Sequence, residues 1–157
     1  MRREILVYPD PFLARKAVPV PVVDDRIRAL IRDMFETMYA AEGIGLAATQ
    51  VGVGKRVVVL DVSPVDETIA PMAVVNPEIV ARDGSATAVE GCLSVPGVQG
   101  EVCRAETVEV RGVDEQGTPL WIRADGILSR ALQHEIDHLD GVLFIDRLSS
   151  TPAASAK

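Results

Sequence analysis

The segment Gln-His-Glu-Ile-Asp-His at 133–138 constrains this chain most, because it holds both of the histidines in the sequence. Four helical residues advance by about 400°, so His134 and His138 project from nearly the same face and can share one metal ion. Glu135 lies about 100° from the first histidine. A catalytic metal site of this kind needs a third protein ligand and leaves one position open for water. The sequence therefore predicts a helix with two metal ligands and a carboxylate; two hydrogen-bonded or solvated histidines are the plainer alternative.

The helix that carries these residues is predicted to begin after Asp125 as its cap and to end near Asp140, before Gly141. One of its faces gathers Leu128, Leu132, Ile136 and Leu139, and another gathers Ile127, Ala131, His134 and His138. We expect the first face to pack in the core. The second face is expected to line an apolar pocket beside the metal.

The rest of the pattern indicates an α+β fold. Residues 1–23 hold four prolines and predict an arm with one short turn near 12–16, and a helix follows over 25–42, capped by Asp24 and ended by Gly43. Strands are predicted at 56–62, 72–75, 79–80, 101–104, 107–114 and 120–124, with loops at 83–85 and 115–117. We expect antiparallel and mixed sheets packed around the C-terminal helix that carries the histidines, with the N-terminal helix on the outside.

Length and charge limit the class of protein. The 157 residues suit a single domain over 1–148, and the Ser/Thr/Pro/Ala-rich tail at 149–157 is expected to be disordered. A membrane protein is not expected, because no apolar run reaches the roughly 18 residues of a membrane span. The net charge of -7 argues against sequence-specific nucleic-acid binding, and the start lacks the apolar core of a signal peptide. The predicted location is the cytoplasm.

Cys92 is the candidate third ligand. It lies between Gly91 and the turn sequence at 94–97, which predicts an irregular backbone suited to presenting a side chain. A thiolate with two imidazoles suits zinc or ferrous iron. The alternative is a small buried cysteine, and we assign Cys103, in a predicted strand without a motif, to that role.

A run of small residues at 43–52 ends in the amide of Gln50 and permits close approach of a backbone or ligand. It lacks the Lys and Ser/Thr of a phosphate-binding loop.

The segments at 43–50, 90–94 and 133–138 together closely resemble the bacterial-type peptide deformylase family, and the resemblance extends from Ile5 to Leu148. The tail falls outside it.

The resemblance implies a role for each site residue. The metal would be held by Cys92, His134 and His138, with Glu135 as general base and acid. Gln50 and the N–H of Leu93 would form the oxyanion hole. The pocket for the methionine side chain would be lined by Ile44, Gly45, Ile127 and Ala131, together with His134.

The implied reaction removes the formyl group from the N-terminal formylmethionine of newly made proteins, with metal-bound water as nucleophile and formate as product. Fe(II) is the implied metal, while Zn(II) and Ni(II) forms also occur in this family. The partners would be N-formylmethionyl nascent peptides close to the ribosome. Two departures stand out: Gln99 replaces an arginine common in the family, and 149–157 lacks the basic helix that docks well-known members on the ribosome.

Two alternatives stay open at this point. His-Glu-x-x-His alone also suggests a zinc-protease-like peptidase that cuts ordinary peptide bonds. A non-catalytic protein with a structural metal site is the second, and it would need a fourth protein ligand.

Overall fold

The computed structural model describes residues 1–148 of the chain. Two α-helices and seven strands form within this range, in the order that follows. The elements are α1 (Asp25–Ala40), β1 (Gly45–Ala47), β2 (Val57–Leu60), β3 (Met72–Asp83), β4 (Ala86–Cys92), β5 (Val95–Arg104), β6 (Thr107–Val113), β7 (Pro119–Asp125) and α2 (Gly126–Leu139). Short 3-10 helices lie at Pro11–Ala14, Ala48–Val51 and Phe144–Arg147. The predicted tail at 149–157 lies outside the described residues.

The strands form two sheets. Five of them pair in the order β1-β2-β3-β6-β7, and β4 and β5 form a separate two-stranded sheet, which we call the Cys92 hairpin. Each of these strand pairs is antiparallel, and the parallel pairing described in 1–148 is a single bridge between Val18 and Lys55. The predicted α+β class is confirmed. The sheets were expected to be antiparallel and mixed, and that bridge is the parallel pairing among the described residues.

The five-stranded sheet is packed between the two helices. Strand β2 is buried on both faces, which explains its continuous run of valines and leucine. Val58 and Leu60 join the core against α2, together with Leu128, Leu132, Ile136 and Leu139 of that helix. Val57 and Val59 join the core against α1, together with Ile27, Leu30, Ile31, Met34 and Met38. The predicted core faces of both helices are therefore confirmed.

The helix ends differ in detail from the prediction. Asp24 caps α1 by accepting hydrogen bonds from the N–H groups of Arg26 and Ile27, but the helix ends at Ala40, two residues early. Glu42 takes the left-handed conformation there, with φ of 59°. Asp125 occupies the N-cap position of α2, yet its side chain makes no capping hydrogen bond. The prediction of a side-chain cap at Asp125 was wrong.

Strand β3 replaces the two short strands predicted around Asn76. The bend is a local irregularity within one strand, because Asn76 has a φ of 55° and the register shifts between Val75 and Glu78. The Asn76 amide bonds both the N–H and the carbonyl of Val20, at 2.7 and 2.9 Å. This residue therefore ties the N-terminal arm to the sheet and compensates for the bulge.

The region before the third ligand is more regular than predicted. Residues 86–92 form β4, and β5 begins at Val95 rather than near 101, so Cys92 ends a strand instead of lying in irregular backbone. Successive side chains of β5 point to opposite faces of the strand. Val102 and Arg104 are therefore buried, and Cys103 between them points outward. Cys103 is exposed, so its assignment as a buried cysteine was wrong.

Residues 1–148 contain no helix that combines the length and the apolar character required to cross a bilayer.

Candidate active site

Cys92, His134 and His138 converge between the Cys92 hairpin and α2. One ligand atom from each lies within 4.8 Å of the others, and Cys92 Sγ is 3.2 Å from Nε2 of His138. Helix α2 supplies both histidines because they are four residues apart on one face. The hairpin supplies the thiol from the end of β4.

His134 is oriented by Glu90. Its Nδ1 lies 3.0 Å from Glu90 Oε1, so its Nε2 is left for the cluster. Glu90 is buried and also accepts hydrogen bonds from Arg104 Nε and Arg130 Nη1, each at 2.6 Å. Burial pushes the pKa of Glu90 upward, but the hydrogen bonds from His134 and Arg104 outweigh it and hold the pKa at about 2. Glu90 is therefore an anion that fixes the ring of His134.

The charges of the cluster fit a metal cation. Burial lowers the pKa of His138 well below its ordinary value, which keeps its ring neutral, as a ligand must be. Burial also pulls the pKa of His134 downward, but hydrogen bonds to Cys92 and Glu90 raise it to about 10. A metal ion bound to His134 would replace the proton on its Nε2, so both rings could serve as neutral ligands. One thiolate and two imidazoles are a donor set for zinc or ferrous iron, so the residues fit a divalent metal.

Glu135 is a buried carboxyl group with an unused acceptor. Its side chain is 5% exposed, and Oε1 has no hydrogen-bond partner within the described residues. Burial raises the pKa of Glu135 to about 7. A carboxyl group with such a pKa can both accept and return a proton near neutral pH.

Gln50 directs its amide nitrogen at the cysteine. Its Oε1 accepts from the N–H of Ala47 at 2.9 Å, while Nε2 donates to Ser94 Oγ at 3.0 Å and lies 3.7 Å from Cys92 Sγ. Leu93 follows Cys92 in the connection between β4 and β5. The hydrogen-bond pattern fixes which end of the buried amide faces the cluster.

A cavity of about 580 Å³ opens beside the cluster. Its lining includes each expected pocket and reaction residue except His138, namely Ile44, Gly45, Gln50, Cys92, Leu93, Ile127, Ala131, His134 and Glu135. Gln99 lines the same cavity. The ten residues predicted for the site are thus brought together by the segment 44–50, the hairpin and α2.

Four residues around the site were missed by sequence reasoning: Ser94, Glu90, Arg104 and Arg130. Ser94 is buried, bonds Gln50, and donates its N–H toward Cys92 Sγ at 3.4 Å. The sequence could have pointed to Glu90, because it stands two positions before Cys92. Residues two apart in a strand lie on the same face, so a charged residue there would face the site together with Cys92. The two arginines lie in other segments, and no local pattern pointed to them.

Comparisons with known proteins agree with this geometry. The family model described as Polypeptide deformylase matches residues 2–153. A peptide deformylase of Alkalilimnicola ehrlichii is 55% identical over 146 residues, covering 93% of this chain and 82% of that protein. One from Neisseria meningitidis is 53% identical over 145 residues, covering 92% and 86%.

Two solved structures have closely similar folds. The crystal structure of a peptide deformylase from Legionella pneumophila has a TM-score of 0.90 and 47% identity, covering 96% of this chain and 88% of that one. The enzyme from Synechococcus elongatus, in complex with actinonin, has a TM-score of 0.90 and 46% identity, covering 94% and 81%. Sequence, fold and cluster agree, and the chain belongs to the polypeptide deformylase family.

Proposed function

We propose that this chain is a metal-dependent peptide deformylase, which hydrolyses the formyl group of N-formylmethionyl nascent peptides and releases formate. The observation that carries the proposal is the buried carboxyl group of Glu135, whose Oε1 has no hydrogen-bond partner within the described residues, beside a Cys-His-His cluster at the wall of one cavity. The family membership and the actinonin complex of the Synechococcus elongatus relative support it.

The metal would be held by Cys92, His134 and His138. When bound, it would lower the pKa of a coordinated water and so supply hydroxide near neutral pH. We propose Fe(II) as the native metal, with Zn(II) or Ni(II) as functional replacements, because a thiolate with two imidazoles accepts all three. Elemental analysis of protein purified without air tests this choice, and a preparation that contains zinc alone would contradict it.

Glu135 is proposed to take a proton from the attacking water as the new C–O bond forms. Gln50 Nε2 and the N–H of Leu93 would donate hydrogen bonds to the formyl oxygen while negative charge develops on it. Each well-placed donor of this kind contributes on the order of 3 kcal/mol to lowering the barrier. Glu135 would then pass the proton to the departing amine, so the C–N bond breaks and a free amino terminus is left.

The methionine side chain is proposed to enter the cavity between Ile44, Gly45, Ile127 and Ala131. These groups offer apolar contact and leave little polar surface to desolvate. Gln99 lines the same cavity, so a charged contact from this position to the substrate backbone is not available.

We further propose that 1–148 is the catalytic domain and that the enzyme works in the cytoplasm, near the ribosome. A chain that ends at residue 148 should then keep its melting temperature and its kcat/KM. A large loss of either would contradict the domain assignment.

Formyl-Met-Ala and acetyl-Met-Ala peptides test the function with metal-loaded protein. We expect release of formate from the first peptide and little attack on the second. Internal cleavage would favour the peptidase alternative, and equal attack on both blocking groups would remove the proposal. Glu135→Gln should retain the metal and lose nearly all turnover; unchanged turnover would contradict the assignment of Glu135 as general base and acid.

A further inference from the structure

The Cys92 hairpin contributes a metal ligand but is not part of the main sheet. Strands β4 and β5 pair with each other, and the further pairing described for them is one isolated bridge between Val102 and Leu148. A two-stranded hairpin is marginally stable by itself. Cys92 nevertheless has to remain within reach of the histidines on α2, where Sγ is 3.2 Å from His138 Nε2. Contacts between α2 and the hairpin therefore help to hold the ligand set together, beside the packing of Val95 and Val102 against Leu143 and Phe144.

Arg130 makes those contacts to both strands at once. It lies one turn before His134 on α2, and its Nη2 donates to the carbonyl of Ala86 on β4 at 2.7 Å. Its Nη1 donates to the carbonyl of Val102 on β5 at 3.0 Å and to Glu90 Oε2 at 2.6 Å. Because Glu90 also bonds His134, the arginine joins the hairpin to the helix at a point next to a ligand.

We propose that Arg130 is a positioning residue, which holds the Cys92 hairpin against α2 and thereby slows the loss of bound metal. The residue acts through the hairpin: its guanidinium group bonds Ala86, Val102 and Glu90, and its side chain also reaches the wall of the cavity. The inference rests on the metal ligands of the proposed function, and it is independent of the formyl substrate. Changes to residues that orient metal ligands typically weaken metal binding 10- to 100-fold.

Arg56 provides a matched control. Its side chain is 15% exposed, against 13% for Arg130, and it also donates to two carbonyl groups and one carboxylate. Its partners are Ala17, Leu139 and Asp140, away from the hairpin. Arg130→Met and Arg56→Met therefore remove the same kinds of bond, and only the first loosens the hairpin.

The experiment measures the release of Co(II) from the loaded full chain to an excess of chelator, followed by the thiolate-to-cobalt absorption. We expect release from R130M to be about 10-fold faster than from the unchanged protein. Release from R56M should stay within about 2-fold, even though both variants lose hydrogen bonds. Equal release rates for R130M and R56M, or an unchanged rate for R130M, would overturn the inference.

Amide hydrogen exchange gives a second readout that a general loss of stability would not reproduce. In R130M, the amides of 86–104 should exchange faster, while the exchange rates of β2 and β3 should not change. Uniform acceleration would overturn the inference.

If R130M does not fold, R130K replaces it, because one ammonium group cannot occupy the two positions of Nη1 and Nη2. R130K should release Co(II) several-fold faster than the unchanged protein, and an unchanged rate would count against the proposal.

The outcomes also separate this inference from the proposed function. A chain that binds no Co(II) would overturn the inference and the ligand assignment together. Faster release from R130M in a protein that does not deformylate peptides would support the inference and remove the proposed function.

Discussion

At the scale of single residues, Gly45 shows how closely the reactive carboxyl group is enclosed. A Cβ atom at this position would lie 2.6 Å from Glu135 Oε2 and 3.1 Å from its Cδ. Contacts below about 3 Å are repulsive, so any side chain at 45 has to displace the carboxyl group. Gly45 is therefore required by the position of Glu135 and not only by its place in the pocket.

Gly45→Ala should reduce kcat by about 100-fold if Glu135 is the general base proposed above, because a shift of that group by about 1 Å is enough for a loss of that size. Metal content should not change, since Gly45 touches none of the three ligands. Steady-state kinetics and metal analysis check this, with Gly54→Ala as control, where the new Cβ would lie 3.8 Å from Phe12 Cζ. A G45A enzyme with full kcat would show that Glu135 does not need this position.

The chemistry of the site was predictable from residues that are close in sequence. The spacing of His134 and His138 defined one helix face, and Glu135 followed from its place beside them. Arg104 and Arg130 could not be found in this way, because they reach Glu90 from 14 and 40 residues away. Long-range ion pairs leave no periodic signal, since each partner alone resembles a surface charge.

At the scale of elements, the two helices begin in different ways. Asp24 caps α1 with hydrogen bonds at 3.1 Å to two main-chain N–H groups, whereas the Asp125 side chain makes none at the start of α2. Asp24→Ala should lower the free energy of unfolding by about 1 kcal/mol, and Asp125→Ala by only a few tenths. Urea unfolding of both variants measures the difference. Equal losses would contradict this account of the two caps.

The ion pairs between the hairpin and α2 predict a pH-dependent stability. The pKa of Glu90 is depressed from 4.5 to about 2, so its stabilising contribution is complete above pH 4.5 and is lost as the pH falls toward 2. Glu90→Gln should lower the free energy of unfolding at pH 7 by roughly 3 kcal/mol, because buried Arg104 loses its two bonds to Glu90 and keeps only its ion pair with Asp137.

The gap between Glu90→Gln and the unchanged protein should narrow between pH 4.5 and pH 2, because the unfolded chain protonates Glu90 from about pH 4.5 and the folded chain only near pH 2. Denaturant unfolding of chelator-treated protein at pH 7 and pH 3 measures this without a contribution from metal. Glu78→Gln is the control, since its pair with Arg111 is exposed and should add little. A gap of the same size at both pH values would contradict the assignment.

The elements themselves were predicted unevenly for physical reasons. Strong apolar periodicity located α1, α2 and β2, because burial on defined faces produces it. Asn76-Pro77 suggested a break, but a bulge and the bonds of Asn76 to Val20 keep β3 continuous. Strand β4 was missed because most of its residues are exposed and its pattern carries little hydrophobic alternation.

At the scale of the whole molecule, the candidate metal site lies where the Cys92 hairpin meets α2. Its ligands come from the Cys92 hairpin and from α2, so metal bound to the folded chain should stabilise the whole fold. Metal present at 1,000 times its dissociation constant contributes about 4 kcal/mol. For a chain of this size that corresponds to roughly 10 °C in the melting temperature.

Removing the metal with a chelator should therefore lower the melting temperature by roughly 10 °C, and adding metal back should restore it. Thermal unfolding with and without chelator measures the shift. Cys92→Ala serves as control, because a chain without this ligand should respond much less. If the chelator leaves the unchanged protein at the same melting temperature, the cluster does not hold metal with useful affinity.

The position of α2 behind all seven strands in the sequence has a consequence for synthesis of the protein. The face of the sheet that carries Val58, Leu60, Val74 and Val110 is covered by this helix, so it stays open to solvent until the helix has been translated. Cys92 leaves the ribosome 42 residues before His134, and during that interval its thiol has no metal partner from α2. When α2 docks, it covers this face of the sheet and brings His134 and His138 to Cys92 in the same late step. The nascent chain therefore gains protection from aggregation and the capacity for turnover at the same moment.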